Sequence, residues 1–137
     1  MPGMALRWYT VVIDCLDVAA QARWWAETLD YVLVYEADDE AVIIPRHMSE
    51  DPIEALDVWM SSGQALVFVP VPEAKTVKNR LHLDLAPHSS QDRDAEVAAL
   101  LNRGATRVDV GQTDQVSWTV LADPEGNEFC VLSSRNR

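Results

Sequence analysis

Arg80-Leu81-His82-Leu83-Asp84-Leu85 alternates a leucine with a polar or ionisable residue at every step. Side chains along a strand point to opposite faces in turn, so this stretch puts Leu81, Leu83 and Leu85 against a helix and gathers Arg80, His82 and Asp84 on the other face. An earlier stretch, Val11-Val12-Ile13-Asp14-Cys15, overlays on Leu81-His82-Leu83-Asp84-Leu85 as an internal repeat. By that overlay Val11, Ile13 and Cys15 face a helix, while Thr10, Val12 and Asp14 take the polar side.

The elements around the two strands repeat in the same order. Residues 8–15 are rich in β-branched and aromatic side chains, the profile of a buried strand. Asp17 then caps a helix whose apolar stripe is Val18, Ala22, Trp25 and Leu29. Tyr31–Tyr35 and Ala41–Ile44 read as a hairpin turning at Asp38 and Asp39. Between Arg46 and Gln64 the pattern lapses into a connecting segment, although Asp51-Pro52 with Glu54 three residues on would start a short helix there, and Leu66–Val69 forms a strand ended by Pro70 and Pro72. The second half gives a strand at 80–85 and a helix at 89–103 that buries Val97, Leu100 and Leu101. Gly104 supplies its left-handed stop, and strands follow at 105–110, 115–121 and 127–132. The turn Asp123-Pro124-Glu125-Gly126-Asn127 joins the last two. The expected architecture is α+β: two βαβββ modules with mixed sheets curled around a shared cup. They form one domain over 1–137, with module one at 8–71, a polar linker at 72–79 and module two at 80–133.

Composition narrows the function classes. A chain of 137 residues, 48% hydrophobic, suits a single core. Its 11 basic against 22 acidic residues give −11, a charge that argues against nucleic-acid and anionic-membrane partners. No apolar run reaches a bilayer's width and the start lacks a signal-peptide layout, so a cytoplasmic location is expected. Cys15 and Cys130 stand far apart and read as reduced core thiols. Motifs of the GxxxxGK, GxGxxG, GxSxG and HExxH types are absent from the sequence, which removes the common nucleotide, hydrolase and zincin readings.

If the two sheets enclose a hollow, His82 is the candidate acid or base, with Asp84 or Asp14 to orient it. The plain alternative is an ordinary ion pair of Arg80 with Asp84 and His82 as a bystander. His47 and His88 read as solvated loop residues. Among five tryptophans, Trp25 is assigned to the core and Trp24 to a helix edge. Trp8, Trp59 and above all Trp118 are candidate walls for a planar or cationic ligand.

The doubled βαβββ order, the stretch Asn79-Arg80-Leu81-His82-Leu83-Asp84-Leu85 and the ending Trp118-Thr119-Val120-Leu121-Ala122-Asp123-Pro124-Glu125-Gly126-Asn127-Glu128-Phe129-Cys130-Val131-Leu132 together resemble the vicinal-oxygen-chelate superfamily, specifically its small glyoxalase-like proteins. The resemblance runs from Thr10 to Leu132. It implies paired modules forming a cup, a plausible homodimer, and an activity somewhere among glyoxalase, dioxygenase, fosfomycin-modifying and bleomycin-binding members. In the enzymatic members it also implies a divalent metal held at four positions. Here His82 matches one of them and Cys130 stands where a glutamate is expected. The other two fall on Val12 (or Thr10) and near Val69. Asp30 replaces a glycine that the family commonly has after the first helix.

With so few donors left, no cofactor and no metal of the family type is expected; zinc on His82, Cys130 and Asp84 or Glu128 is the atypical alternative. The leading expectation is a binder of a small organic molecule. His82 and Asp84 are its catalytic candidates, and Asp14, Arg80, Trp118, Glu128 and Cys130 its ligand-binding candidates. The alternatives are a lyase or isomerase using His82 as acid and base, a drug-sequestering protein of the bleomycin-resistance kind, and an interaction module without a ligand.

Overall fold

The structure, a computed structural model, describes residues 6–108 and 118–137. The chain divides into two compact units, Met1–Glu73 and Ala74–Arg137. Each carries one four-stranded mixed sheet.

In the first unit β1 (Thr10–Cys15) leads into α1 (Val18–Leu29). Then come β2 (Tyr31–Ala37), β3 (Glu40–Pro45), α2 (Leu56–Ser61) and β4 (Ala65–Pro70). The sheet order is β1-β4-β3-β2, with β1 parallel to β4 and the other pairs antiparallel. The Asp17 carboxylate accepts from the Ala20 N–H at 3.1 Å and starts α1, which lies against β2, β3 and β4. Val18, Ala22 and Trp25 of the expected stripe are buried, and Asp30 ends the helix in the left-handed region at φ 54°. Trp24, expected at a helix edge, is instead buried, packed edge-on against Trp25 with ring centroids 5.1 Å apart. An edge-to-face aromatic pair buries both rings at once, which a single-stripe reading misses.

The short helix begins later than the Asp51-Pro52 signal suggested, at Leu56 with Ala55 as its cap. Asp51 is engaged otherwise: its N–H donates to Ser49 Oγ at 3.0 Å. The Arg7 guanidinium lies over the rings of Tyr9 and Trp59, at 5.1 and 4.9 Å, and donates to the Gly63 carbonyl. Trp59 thus serves as a platform for an arginine of its own chain.

The second unit repeats the plan in shorter strands. β5 (Leu83–Leu85) is followed by α3 (Arg93–Asn102), β6 (Thr106–Arg107), β7 (Thr119–Ala122) and β8 (Glu128–Val131). The order is β5-β8-β7-β6, with β5 parallel to β8. The expected strand at 80–85 is cut to three residues, and Leu81, expected against a helix, is 89% exposed. Asn79 explains the shortening. Its N–H donates to the Glu128 carboxylate and its amide reaches the Glu128 carbonyl, so side-chain bonds replace the ladder at that end of β8. The helix starts at Arg93 rather than 89, because His88 and Gln91 bond each other in a turn and the Asp92 carboxylate caps the Asp94 and Ala95 N–H groups. Gly104 adopts φ 110°, the left-handed stop read from the sequence. Parts of the expected strands at 105–110 and 115–121 lie outside the described residues.

Phe129, Leu121 and Val131 form the buried face of the second sheet. Arg93 fastens α3 to the ends of β7 and β8, donating to the Leu132 and Val131 carbonyls and to the Thr119 hydroxyl. The buried Asp123 carboxylate accepts from the Glu125 and Asn127 N–H groups at 2.9 and 3.0 Å, and Gly126 takes φ 92°, which closes the turn before β8.

Candidate functional site

The face of the second sheet opposite Phe129 carries the polar residues. β5 and β8 run parallel with Asp84 opposite Cys130, and His82, just ahead of β5, and Glu128, at the start of β8, flank that pair at the edge of the same hollow. Val120 of β7 pairs with Cys130 on the other side, and Trp118 stands two residues before Val120. Together with Lys78, Leu132 and part of Phe129 these residues line a hollow of about 300 Å3. That volume suits a small organic molecule, and its mixture of apolar wall and few polar groups is the usual composition of such sites.

Within the hollow His82 Nε2 lies 3.2 Å from Asp84 Oδ1, with both side chains about half exposed. Their donor atoms and Cys130 Sγ all fall within 4.8 Å of one another. Burial pushes the Cys130 thiol above its ordinary pKa, the Asp84 carboxylate beside it pushes the same way, and Lys78 offsets part of this. The thiol, not the thiolate, is therefore the resting form, and Cys130 is no activated nucleophile.

Glu128 behaves differently. Burial would raise its pKa, but the Asn79 N–H at 2.9 Å and the Lys75 ammonium at 3.1 Å outweigh burial and hold it below the ordinary carboxylate value. Its carboxylate is a strut between the sheet and the segment that precedes β5.

The structure thus brings together His82, Asp84, Trp118, Glu128 and Cys130 of the sequence-derived candidates. Arg80 lies in an exposed bend ahead of β5 and does not line the hollow. Asp14 belongs to the first unit, where it and Val12 are exposed on one face of β1. Trp8 is exposed in the same unit. His88 is in a turn, its Nδ1 2.8 Å from the Ser90 hydroxyl. Lys78, which borders the hollow, and Lys75 and Asn79, which anchor Glu128, were legible in the sequence only as a polar linker. No local pattern reveals that a linker folds back onto the last strand.

Of the four positions that the family resemblance would give to a metal, two offer no donor here. Val12 and Val69 carry hydrocarbon, and the alternative Thr10 spends its hydroxyl on the Ala65 carbonyl at 2.9 Å. The four-position arrangement does not fit this chain.

A glyoxalase-like domain family matches residues 10–132. No curated protein matches the sequence. Among solved structures, a glyoxalase/bleomycin resistance protein/dioxygenase family enzyme from Burkholderia phytofirmans aligns with a TM-score of 0.64 at 15% identity, over 93% of this chain and 98% of that one. The fosfomycin resistance protein FosX from Listeria monocytogenes, complexed with manganese(II) and sulfate, aligns with a TM-score of 0.67 at 8% identity, over 96% and 92%. A glyoxalase/bleomycin resistance protein from Albidiferax ferrireducens gives 0.58 at 18%, over 92% and 97%. At these identities the likeness is one of fold.

Proposed function

Because the chain belongs to the glyoxalase-like domain family, we propose that it binds a small organic molecule in the hollow of its second unit, without the four-position metal of the family's enzymes. The observation that carries this reading is the hollow itself: about 300 Å3, walled by Trp118, Val120 and Leu132 around the His82–Asp84 pair. An apolar wall supplies affinity through burial, and the few polar groups fix orientation. Trp118 offers an indole face to a planar group, and the half-exposed imidazole and carboxylate can exchange water for ligand hydrogen bonds at small desolvation cost. Neighbours of this fold named for resistance to fosfomycin and bleomycin make a small-molecule role natural for it. A homodimer in the cytoplasm belongs to the same reading.

The test is native mass spectrometry of the full chain purified gently from its own host. A small organic mass excess is expected, absent from the Trp118→Ala and His82→Ala variants, whose folding is checked by circular dichroism. A bare chain, together with no saturable binding when metal-stripped protein is screened by ligand-observed NMR, would end the proposal.

A further inference from the structure

We propose that His82, Asp84 and Cys130 form a binding site for one thiophilic divalent cation, zinc(II) foremost, held wholly by the second unit. The site follows from strand register. Asp84 of β5 pairs in register with Cys130 of β8, which sets carboxylate and thiol side by side, and His82, one residue ahead of β5, turns its imidazole to within 3.2 Å of the Asp84 carboxylate. One nitrogen, one oxygen and one sulfur donor then lie within 4.8 Å of one another. Around a tetrahedral zinc ion such donors stand about 3.3–3.8 Å apart, given bonds of about 2.0–2.3 Å. His82 and Asp84, 3.2 Å apart, need only a slight opening to reach that spacing, and both are exposed enough to turn toward the sulfur.

The donor set decides which ion. A single carboxylate with no second hard oxygen ligand is poor for magnesium or manganese, whereas thiolate and imidazole favour zinc. Binding would expel the thiol proton and leave a neutral centre, since thiolate and carboxylate balance the two positive charges and the imidazole is uncharged. The four-position set implied by the family resemblance needs donors where Val12 and Val69 stand, and this site differs from it in its thiolate, in Asp84 and in lying within one unit. Glu128, which also lines the hollow, is engaged by Asn79 and Lys75. Three protein ligands leave a fourth position open toward the hollow, the arrangement of exchangeable rather than structural zinc. Lys78 opposes a cation, but it is exposed and its charge is screened.

The cation proposal stands apart from the organic-ligand reading, because it is measured with the metal alone. The full chain is stripped with chelator and titrated with cobalt(II), then with zinc(II) in competition. The expected result is one cobalt per chain, with a thiolate-to-cobalt charge-transfer band in the near ultraviolet that zinc abolishes. Azide should perturb the visible bands of the bound cobalt through the open position. Cys130→Ser should remove the charge-transfer band. His82→Ala and the solvent-facing Asp84→Asn should each weaken zinc on the order of 100-fold while keeping the native circular dichroism spectrum. Cys15→Ser and His88→Ala should leave both band and affinity unchanged. A spectrum without the band, a band that survives Cys130→Ser, or zinc affinity indifferent to His82→Ala and Asp84→Asn would overturn the site; indifference to azide would overturn its open position.

Discussion

The two sheets share a strand order and differ in what they spend it on. The first is built of long strands of six or seven residues, with Ala41, Ile43, Leu66 and Phe68 buried, and β1 sets only Val12 and Asp14 on its exposed face. The second has strands of two to four residues and relies on side-chain ties from Arg93, Asp123, Asn79 and Lys75. Its β5 and β8, with His82 just ahead of β5, bring together a histidine, two carboxylates and a thiol. A repeated backbone plan therefore does not repeat chemistry. Ladder hydrogen bonds are indifferent to side chains, so a duplicated module can keep its fold while one copy becomes scaffold and the other a site.

The largest effect that probes this difference comes from the two buried phenylalanines. Phe68→Ala and Phe129→Ala should each lose about 3–5 kcal/mol in denaturant unfolding, through lost burial and the cavity left behind. With fewer ladder bonds behind it, the second sheet should suffer at least as much as the first. A clearly larger loss for Phe68→Ala would break the idea that the long-stranded sheet is the more robust.

A smaller effect tests the ties of the second unit. Lys75→Met should cost about 1–2 kcal/mol by removing a charged partner from Glu128. The sign with pH follows from the depressed pKa of Glu128 in the folded chain. Its stabilising contribution is present above the unfolded carboxylate value and is lost as pH falls through the lower folded value. Acid titrations of wild type and Lys75→Met should therefore converge at low pH. Curves that stay parallel down to low pH would mean that the loss does not run through the Glu128 charge, and coincident curves that the strut contributes nothing.

The smallest expected change sits in the first unit. Asp30→Gly relieves a left-handed residue at φ 54° and removes only an exposed bond to Arg46, so a gain of about 0.5 kcal/mol is expected. A measured loss would show that the Arg46 pair matters more than the backbone.

Much of this was readable before any coordinates. Hydrophobic periodicity gave both modules, Asp17 and Gly104 marked helix ends, and strand parity put His82 and Asp84 on one face. Where the reading slipped, longer-range contacts overrode local signals: Asn79 shortened β5 and exposed Leu81, and Trp25 drew Trp24 into the core. The fate of Glu128 was invisible as well, because its partners Lys75 and Asn79 lie some fifty positions away in what reads as a hinge.

The amino-acid order alone determined which residues share a face, since alternation along a strand is a property of the local backbone. Only the tertiary structure decided which strand lies beside which and in what register. That choice set Cys130 against Asp84 and turned an isolated thiol into the third corner of a nitrogen, oxygen and sulfur cluster. Register is fixed by pairing between segments distant in sequence, and no local periodicity encodes it.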